Sequence, residues 1–157
     1  MSSELFRSPQ DPIYIPPMGP DAVTPPDSTL YETMGEAGII AMLRAFYEEL
    51  GRSSLAGMFA DDREQAAYRS AMFFVGLLGG PPLYAQKYGP PRMRARHLPF
   101  RITPAYQQIW LSCFEHVLTR HQEFDMPAES VASFRNFLEG FSAWMVNTAE
   151  PTTPPSR

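Results

Sequence analysis

His97 is the residue of this chain whose type and position best suit chemistry. It follows the arginine-rich stretch 92–96 and comes directly before residues 98–100, which read Leu-Pro-Phe. Because Pro99 limits any helix at this point, we expect His97 to face inward near the end of a short helix. A neutral imidazole held in that way is a competent ligand for iron. The alternative is a structural role, which is the commoner one for a lone histidine.

The arginines that precede His97 allow two interpretations. Arg92, Arg94 and Arg96 form either a solvated basic loop or a set of guanidinium groups that pair with the carboxylates of a bound ligand. Haem carries two propionates, so the second interpretation fits a haem-binding protein without further assumptions.

Other chemistries find little support in the sequence. His116 and His121 form no zinc pattern with Cys113, since a tetrahedral site needs three or four convergent ligands. Cys113 lies in an apolar stretch beside no evident base, and no GxSxG motif is present. Gly79-Gly80 follows a helix and precedes prolines, which is not the arrangement of a phosphate-binding loop.

Length and composition favour one folded domain. The chain has 157 residues, 44% of them hydrophobic and 19% charged, with a formal net charge of -4. That charge argues against nucleic acid or an anionic membrane as a partner. One cysteine suits a reducing cytoplasm, the start shows no apolar signal region, and the longest apolar stretch lies within 71–78. We therefore expect a soluble, cytoplasmic protein.

Composition divides the chain into an arm (1–27), a body (28–148) and a flexible tail (149–157). The arm contains seven of the 17 prolines, so we expect it to be extended or irregular. Tyr14, Ile15 and Met18 are apolar enough to dock the arm on the body, and a loose arm is the alternative. The tail is again rich in proline, and we expect it to fray from Glu150 onward.

The first half of the body predicts two helices. Residues 30–50 carry apolar side chains at helical spacing. Asp61, with Glu64 three residues later, favours the start of a second helix that runs to about Leu78. Residues 79–82, which read Gly-Gly-Pro-Pro, end it abruptly. The apolar face of the first helix consists of Ile39, Leu43, Phe46, Tyr47 and Leu50.

The second half of the body predicts two more long helices. Thr103 followed by Pro104 is a start signal, and a last helix begins near Pro127. Between the second and third helices, residues 83–100 leave room for one short helix between Pro91 and Pro99. No β-hairpin or internal repeat is evident, so the fold class is all-α.

Several motifs together resemble a known family. GGPPLY at 79–84, GPPRMRARHLPF at 89–100 and IWLSCF at 109–114 are similar to the group II truncated haemoglobins, as is MGEAGIIAMLRAFYEEL at 34–50. The likeness covers about residues 28–148. It implies a truncated globin fold, a two-over-two helical sandwich around haem b, with His97 as the proximal ligand of the iron.

The resemblance also implies roles for residues around the haem. Tyr47 and Trp110 match the residues that face a bound ligand, and Ala66 and Ser70 match two further positions on that side. Phe59 matches an aromatic residue that packs on the haem, although its spacing from Tyr47 is about one residue short. Further positions implied to contact the haem or its propionates are Phe73, Phe74, Tyr84 and Arg96.

The sequence departs from the family pattern in two respects. The glycine pair that many truncated globins carry is only partly present, as Gly35-Glu36 and Gly38. Ser70 is smaller than the side chains that relatives often place there. Together with Ala66, it predicts a roomy distal pocket with no histidine gate.

Three functions remain open at this stage. The first is reversible binding of oxygen, nitric oxide or carbon monoxide, in a monomer or homodimer. The second is a peroxidase or nitric oxide dioxygenase that needs an external reductase. It is favoured because a phenol and an indole that converge on one partly negative ligand slow its release. The third is a helical interaction module without haem, in which Tyr47 and Trp110 are ordinary core residues.

Overall fold

The computed structural model describes residues 4–59 and 62–150, and these form helices joined by short turns. One pair of residues, Phe6 and Phe100, forms an isolated antiparallel bridge. No helix among the described residues is long and apolar enough to span a membrane. The α-helices are α1 (Leu30–Gly51), α2 (Arg63–Leu77), α3 (Leu83–Tyr88), α4 (Met93–His97), α5 (Pro104–Leu118) and α6 (Ala128–Met145), and short 3-10 helices lie at Gly19–Ala22, Ala56–Phe59 and His121–Phe124.

The long helices form two layers. α1 packs on α2, α5 packs on α6, and contacts between α1 and α5 join the two pairs. Aromatic side chains fill the space between the layers: Phe46 of α1 stacks on Phe114 of α5 at 3.9 Å between ring centroids, and Phe134 of α6 lies 5.7 Å from Phe114. The all-α, two-over-two arrangement predicted from the sequence is confirmed.

α1 is interrupted near its start. The sequence predicts one helix over 30–50, but Gly35 has φ 73° and ψ 166°, which is outside the helical region. A residue without Cβ adopts this positive φ at little cost. The segment therefore consists of a short first turn and a long helix that carries Tyr47.

The other long helices begin where the sequence signals place them. α2 begins at Arg63 after Asp62, whereas the predicted cap, Asp61, lies outside the described residues. At the start of α5, the Thr103 hydroxyl oxygen accepts a hydrogen bond from the Tyr106 amide at 3.1 Å, as its type predicts. α6 begins directly after Pro127.

The region between α2 and α5 contains two short helices, where the sequence predicted one. α3 begins after Pro82 and ends at Gly89, which has φ 84°. No proline lies within it, so one and a half turns fit between the two breakers. α4 occupies the predicted place between Pro91 and Pro99 and has His97 as its last residue.

The arm is attached to the body, but not by burial of the three apolar side chains that the sequence favoured. Ile15 and Met18 remain 67% and 70% exposed, and Tyr14 is held through its backbone amide, which donates to the Asn147 carbonyl. A further contact lies earlier, where the Arg101 amide donates to the Leu5 carbonyl at 2.8 Å.

The structure describes the predicted tail only as far as Glu150. Glu150, expected to fray, accepts a hydrogen bond from the Ala105 amide through its carboxylate at 2.7 Å. This bond caps the first turn of α5. The rest of the predicted flexible tail, 151–157, lies outside the described residues.

The double glycine after α2 is explained by close packing against the start of α1. A Cβ on Gly79, which has φ 106°, would lie 1.9 Å from the Ser28 carbonyl oxygen, and one on Gly80 would lie 2.6 Å from the Tyr31 ring. The Tyr31 amide also donates to the Leu78 carbonyl at 2.8 Å. Only glycine allows this approach of the two backbones.

Gly79→Ala should destabilise the protein strongly. Backbone strain at positive φ and the clash with Ser28 together should lower the free energy of unfolding by on the order of 3 kcal/mol. Gly19→Ala is the matched control, since Gly19 also has positive φ but no atom within 4 Å of its Cβ position, and it should cost about 1 kcal/mol. Urea denaturation measures both, and equal losses would contradict this account of the double glycine.

Candidate functional site

A cavity of about 460 Å³ lies between the two layers, and its size suits a small-molecule or cofactor site. α1, α2 and α5 contribute its inner walls, and α3 and α4 lie along one edge. Every residue that the family resemblance assigns to the haem site lines this one cavity: Tyr47, Phe59, Ala66, Ser70, Phe73, Phe74, Tyr84, Arg96, His97 and Trp110.

His97 is fixed in one tautomer by its own helix. Its Nδ1 lies 2.6 Å from the Met93 carbonyl oxygen, and because a carbonyl only accepts, Nδ1 must carry the proton. The lone pair is then on Nε2. Burial lowers the pKa of His97, and the Met93 carbonyl partly offsets this effect. The imidazole is therefore neutral near pH 7, which is the form that binds metals.

Tyr47 and Ser70 connect α1 and α2 across the cavity. Their hydroxyl oxygens lie 2.8 Å apart, a distance at which either group can donate. Burial raises the pKa of the Tyr47 phenol, and the Ser70 hydroxyl partly opposes this shift. Tyr47 therefore stays protonated at neutral pH and keeps its capacity to donate a hydrogen bond.

Aromatic rings form most of the remaining wall. The Phe59 ring meets the Tyr47 ring edge to face at 5.2 Å, so the short spacing in the sequence does not separate them. Trp110 lies edge to face with Phe46 at 5.3 Å, and its indole N–H can only donate. Phe73 lies 5.8 Å from Phe141. The result is an apolar slot suited to a flat ligand.

The open edge of the cavity is cationic. Arg69 and Arg96 line it together with Tyr84 and Tyr88. The Arg96 guanidinium lies 5.2 Å from the Tyr84 ring centroid. The sequence from 65 to 114 contains no acidic residue, and its basic residues are Arg69, Lys87, Arg92, Arg94, Arg96 and Arg101. This local excess of positive charge in a chain of net charge -4 favours a ligand with carboxylates at the edge.

Comparison with known proteins identifies the family of this chain. Residues 29–147 match the sequence model of the bacterial-like globins. The chain is a member of the bacterial-like globin family. It is 38% identical over 89 residues to the group 2 truncated hemoglobin YjbI of Bacillus subtilis. The aligned region covers 56% of this chain and 67% of that protein.

Solved structures agree with the family assignment. The crystal structure of phosphate-bound Hell's gate globin IV superposes with a TM-score of 0.76 at 32% identity, covering 86% of this chain and 84% of that one. The truncated oxygen-avid haemoglobin of Bacillus subtilis gives a TM-score of 0.69 at 34% identity, covering 74% and 98%. The group II truncated hemoglobin of Bacillus anthracis gives 0.66 at 32% identity, covering 82% and 97%.

The residues of this globin fit the haem that its family implies. The cavity offers a neutral imidazole with a free lone pair, apolar aromatic walls and a cationic edge for propionates. The protein is therefore a haem-binding globin, and the family binds diatomic gases. Family membership favours this function over the helical module without haem.

Arg94, for which the sequence left a solvated loop or a carboxylate-binding role open, does neither in this globin. The Arg94 guanidinium turns away from the cavity and donates to the carbonyl oxygens of Trp144, Val146 and Tyr14, with the bonds to Val146 and Tyr14 at 2.9 and 2.8 Å. It also stacks on the Trp144 ring at 4.5 Å. The last carbonyls of a helix lack partners within it, and Arg94 supplies one.

Arg92 and Arg96, the other two arginines that precede His97, do not form a simple pair of propionate-binding groups. Arg92 is exposed, and its φ of 41° places it in the left-handed region just before α4. Arg96 lines the cavity, but in this structure it donates to the carbonyl oxygens of Tyr88, Pro90 and Pro91 at 2.9, 3.0 and 2.6 Å. Arg96 thus shapes the loop that forms the edge.

Some lining residues escaped the sequence analysis. Arg69 and Tyr88 lie at the cationic edge, and Phe100 and Phe141 extend the aromatic wall. Phe141 follows Phe134 and Leu138 at helical spacing in α6, so the sequence contains a periodic signal for it. A smaller apolar compartment of about 100 Å³ adjoins the cavity, lined among others by Leu55, Ile102, Tyr106 and Met145.

The remaining histidines and the cysteine lie away from the cavity. His116 pairs with Glu49 at 3.4 Å, and the Nδ1 of His121 lies 2.7 Å from the Met126 carbonyl oxygen. Burial raises the pKa of the Cys113 thiol, and the Glu49 charge adds to this shift. Within the described residues, no group of three or more His, Cys, Asp or Glu side chains is placed to hold a metal ion.

Proposed function

We propose that His97 is the protein ligand to the iron of haem b, and that Tyr47 and Trp110 hold a diatomic ligand in the same cavity. The observation that carries this proposal is the hydrogen bond from His97 Nδ1 to the Met93 carbonyl at 2.6 Å. It leaves a neutral Nε2 for the iron in a cavity that Tyr47 and Trp110 also line.

The walls of the cavity suit a haem held by His97. When bound, haem supplies an iron that takes up oxygen, nitric oxide or carbon monoxide and changes its redox state. Phe59, Phe73 and Phe74 pack against the flat ring and exclude water. Ala66 leaves space for the gas ligand, and no second histidine among the described residues lines the cavity.

The propionates belong at the cationic edge. Arg69 and Arg96 are the cationic groups there, Asp62 lies 3.3 Å from Arg69 and offsets part of its charge, and Tyr84 provides a hydroxyl. A guanidinium that already donates to backbone carbonyls, as Arg96 does, contributes charge without a further loss of side-chain freedom.

The hydroxyl pair of Tyr47 and Ser70 orients the donor to the gas ligand. When Tyr47 donates its proton to a ligand, its oxygen can accept from Ser70, which remains 2.8 Å away. The Trp110 indole supplies a second donor. Such donors stabilise a partly negative ligand more than a neutral one, so oxygen should leave slowly.

Slow release favours redox chemistry over oxygen transport. A related haemoglobin from Bacillus subtilis is described as oxygen-avid, which is the behaviour we propose for this chain. We propose that it acts on reactive oxygen or nitrogen species, as a nitric oxide dioxygenase or a peroxidase, in a reducing cytoplasm. Each cycle then takes electrons from an external reductase, since the cavity residues do not supply them.

Tyr47→Phe should speed oxygen dissociation. Loss of a hydrogen bond to a partly charged ligand costs about 1.5–3 kcal/mol, which corresponds to an increase of about tenfold or more in the off-rate. Trp110→Phe should act in the same direction. Stopped-flow displacement of oxygen by carbon monoxide measures both rates, with Tyr68→Phe, an exposed tyrosine on α2, as the control. An off-rate in Tyr47→Phe equal to that of the control would remove Tyr47 from the ligand site.

Sustained consumption of nitric oxide tests the redox role. The balanced reaction takes one electron from the reductant for each nitrate formed (NO + O₂ + e⁻ → NO₃⁻). With NADPH and a bacterial ferredoxin–NADP reductase, we expect many nitrates per haem, and the reductase alone is the control. Formation of one nitrate per haem followed by arrest would assign the protein to gas binding.

A further inference from the structure

Asn147 is a buried residue that has no part in the proposed contacts with haem or the gas ligand. It lies just after the end of α6 and has no exposed surface. Its Nδ2 donates to the carbonyl oxygens of His97 at 3.2 Å and Phe100 at 3.0 Å. Its Oδ1 accepts from the Ile102 amide at 3.1 Å and from the Thr148 hydroxyl at 2.8 Å. Every donor and acceptor of this side chain is paired within the protein.

The backbone of Asn147 joins the same turn to the arm. Its amide donates to the Ile102 carbonyl at 3.0 Å, and its carbonyl accepts from the Tyr14 amide at 2.8 Å. The Arg94 guanidinium lies beside this junction, where it donates to the carbonyls of Tyr14 and Val146. The end of α6, the arm and the turn after α4 therefore meet at one residue.

Arg7 of the arm supplies the donors that Asn147 does not. Its Nη1 donates to the Leu98 carbonyl at 2.9 Å, and its backbone amide donates to the Pro99 carbonyl at 2.8 Å. The neighbouring Phe6 ring lies 5.5 Å from the Phe100 ring. The carbonyl oxygens of the four residues 97–100 thus all accept a hydrogen bond from Asn147 or Arg7.

The turn after α4 needs such external partners. α4 has only five residues and no side-chain cap, and so short a helix has little stability of its own. Its last carbonyls find backbone partners only beyond the helix, where the Ala95 carbonyl accepts from the Leu98 amide at 3.2 Å and the His97 carbonyl from the Phe100 amide at 3.0 Å. Pro99 has no amide proton to contribute. Since His97 takes its orientation from the Met93 carbonyl in the same helix, the partners that fix α4 also fix the imidazole.

We infer that Asn147 and Arg7 are positioning residues for His97, which hold the carbonyls of residues 97–100 and thereby set where the imidazole meets the iron. The inference rests on the proposed role of His97 as the iron ligand. Arg7 lies outside the region that matches the globin family, 29–147, so this support comes from the arm of this particular chain.

The iron–histidine stretching band in the resonance Raman spectrum of the ferrous, ligand-free protein tests the inference. Asn147→Ala and Arg7→Ala should both shift or broaden this band, since the imidazole loses its fixed position. Arg7→Lys retains a donor for the Leu98 carbonyl and should stay close to the wild type. Transfer of hemin to apomyoglobin should become about tenfold faster in Asn147→Ala, as expected for loss of a buried hydrogen bond.

Val117→Ala distinguishes a displaced imidazole from a general loss of protein stability. Val117 is fully buried in α5, and this substitution should lower the melting temperature without moving the band. A band that moves equally in Val117→Ala, or that stays at the wild-type frequency in both Asn147→Ala and Arg7→Ala, would overturn the inference. If Asn147→Ala does not fold, the comparison of Arg7→Ala with Arg7→Lys carries the test alone.

Amide hydrogen exchange of the haem-free protein distinguishes the two ways in which the account can fail. In Arg7→Ala, the Arg101 amide, which is bonded to the Leu5 carbonyl, should lose protection. In Asn147→Ala, the Ile102 amide, which is bonded to Asn147, should lose protection. Lost protection with an unmoved iron–histidine band would overturn the positioning role alone. A His97→Gly protein with the wild-type haem spectrum would instead overturn the proposed ligand.

Discussion

The hydrogen bond between His97 Nδ1 and the Met93 carbonyl is the interaction on which the site depends. It fixes the tautomer of the imidazole, leaves the lone pair on Nε2 and holds the ring against its own short helix. Burial lowers the pKa of His97, so the ring stays neutral. In the proposed site this Nε2 binds the iron, the aromatic side chains of the cavity pack on the cofactor, and Tyr47 and Trp110 donate to the gas ligand.

This interaction is only as firm as α4 itself, and α4 cannot stand alone. The segment between α2 and α5 has two helices of six and five residues, joined by turns at Pro82, Gly89 and Pro99. Its order comes from outside. Arg94 and Asn147 tie it to the end of α6, and Arg7 ties it to the arm. The rigid two-layer frame thus holds in place the short segment that carries His97, the proposed ligand.

The sequence predicted what local patterns determine. Periodicity and proline or glycine signals located the long helices, and the resemblance to the group II truncated haemoglobins pointed to residues that line the cavity. What neither signal gave concerns contacts between distant residues. Arg94 was assigned either to a solvated loop or to the carboxylates of a ligand, but its partners lie about 50 and 80 positions away in sequence. The role of Asn147, which bonds to His97 across 50 positions, has no local signature either. The kink at Gly35 was concealed because the apolar spacing continues across it.

The absorption spectrum of the ferrous protein with carbon monoxide, beside a His97→Gly variant, tests the central claim most directly. The account predicts a sharp carbonyl Soret band in the wild type that is weakened or shifted in His97→Gly and recovers when imidazole is added. His116→Gly, at an exposed histidine, should leave the band unchanged. An unaltered band in His97→Gly, or no Soret band in the wild type after hemin is supplied, would contradict the account.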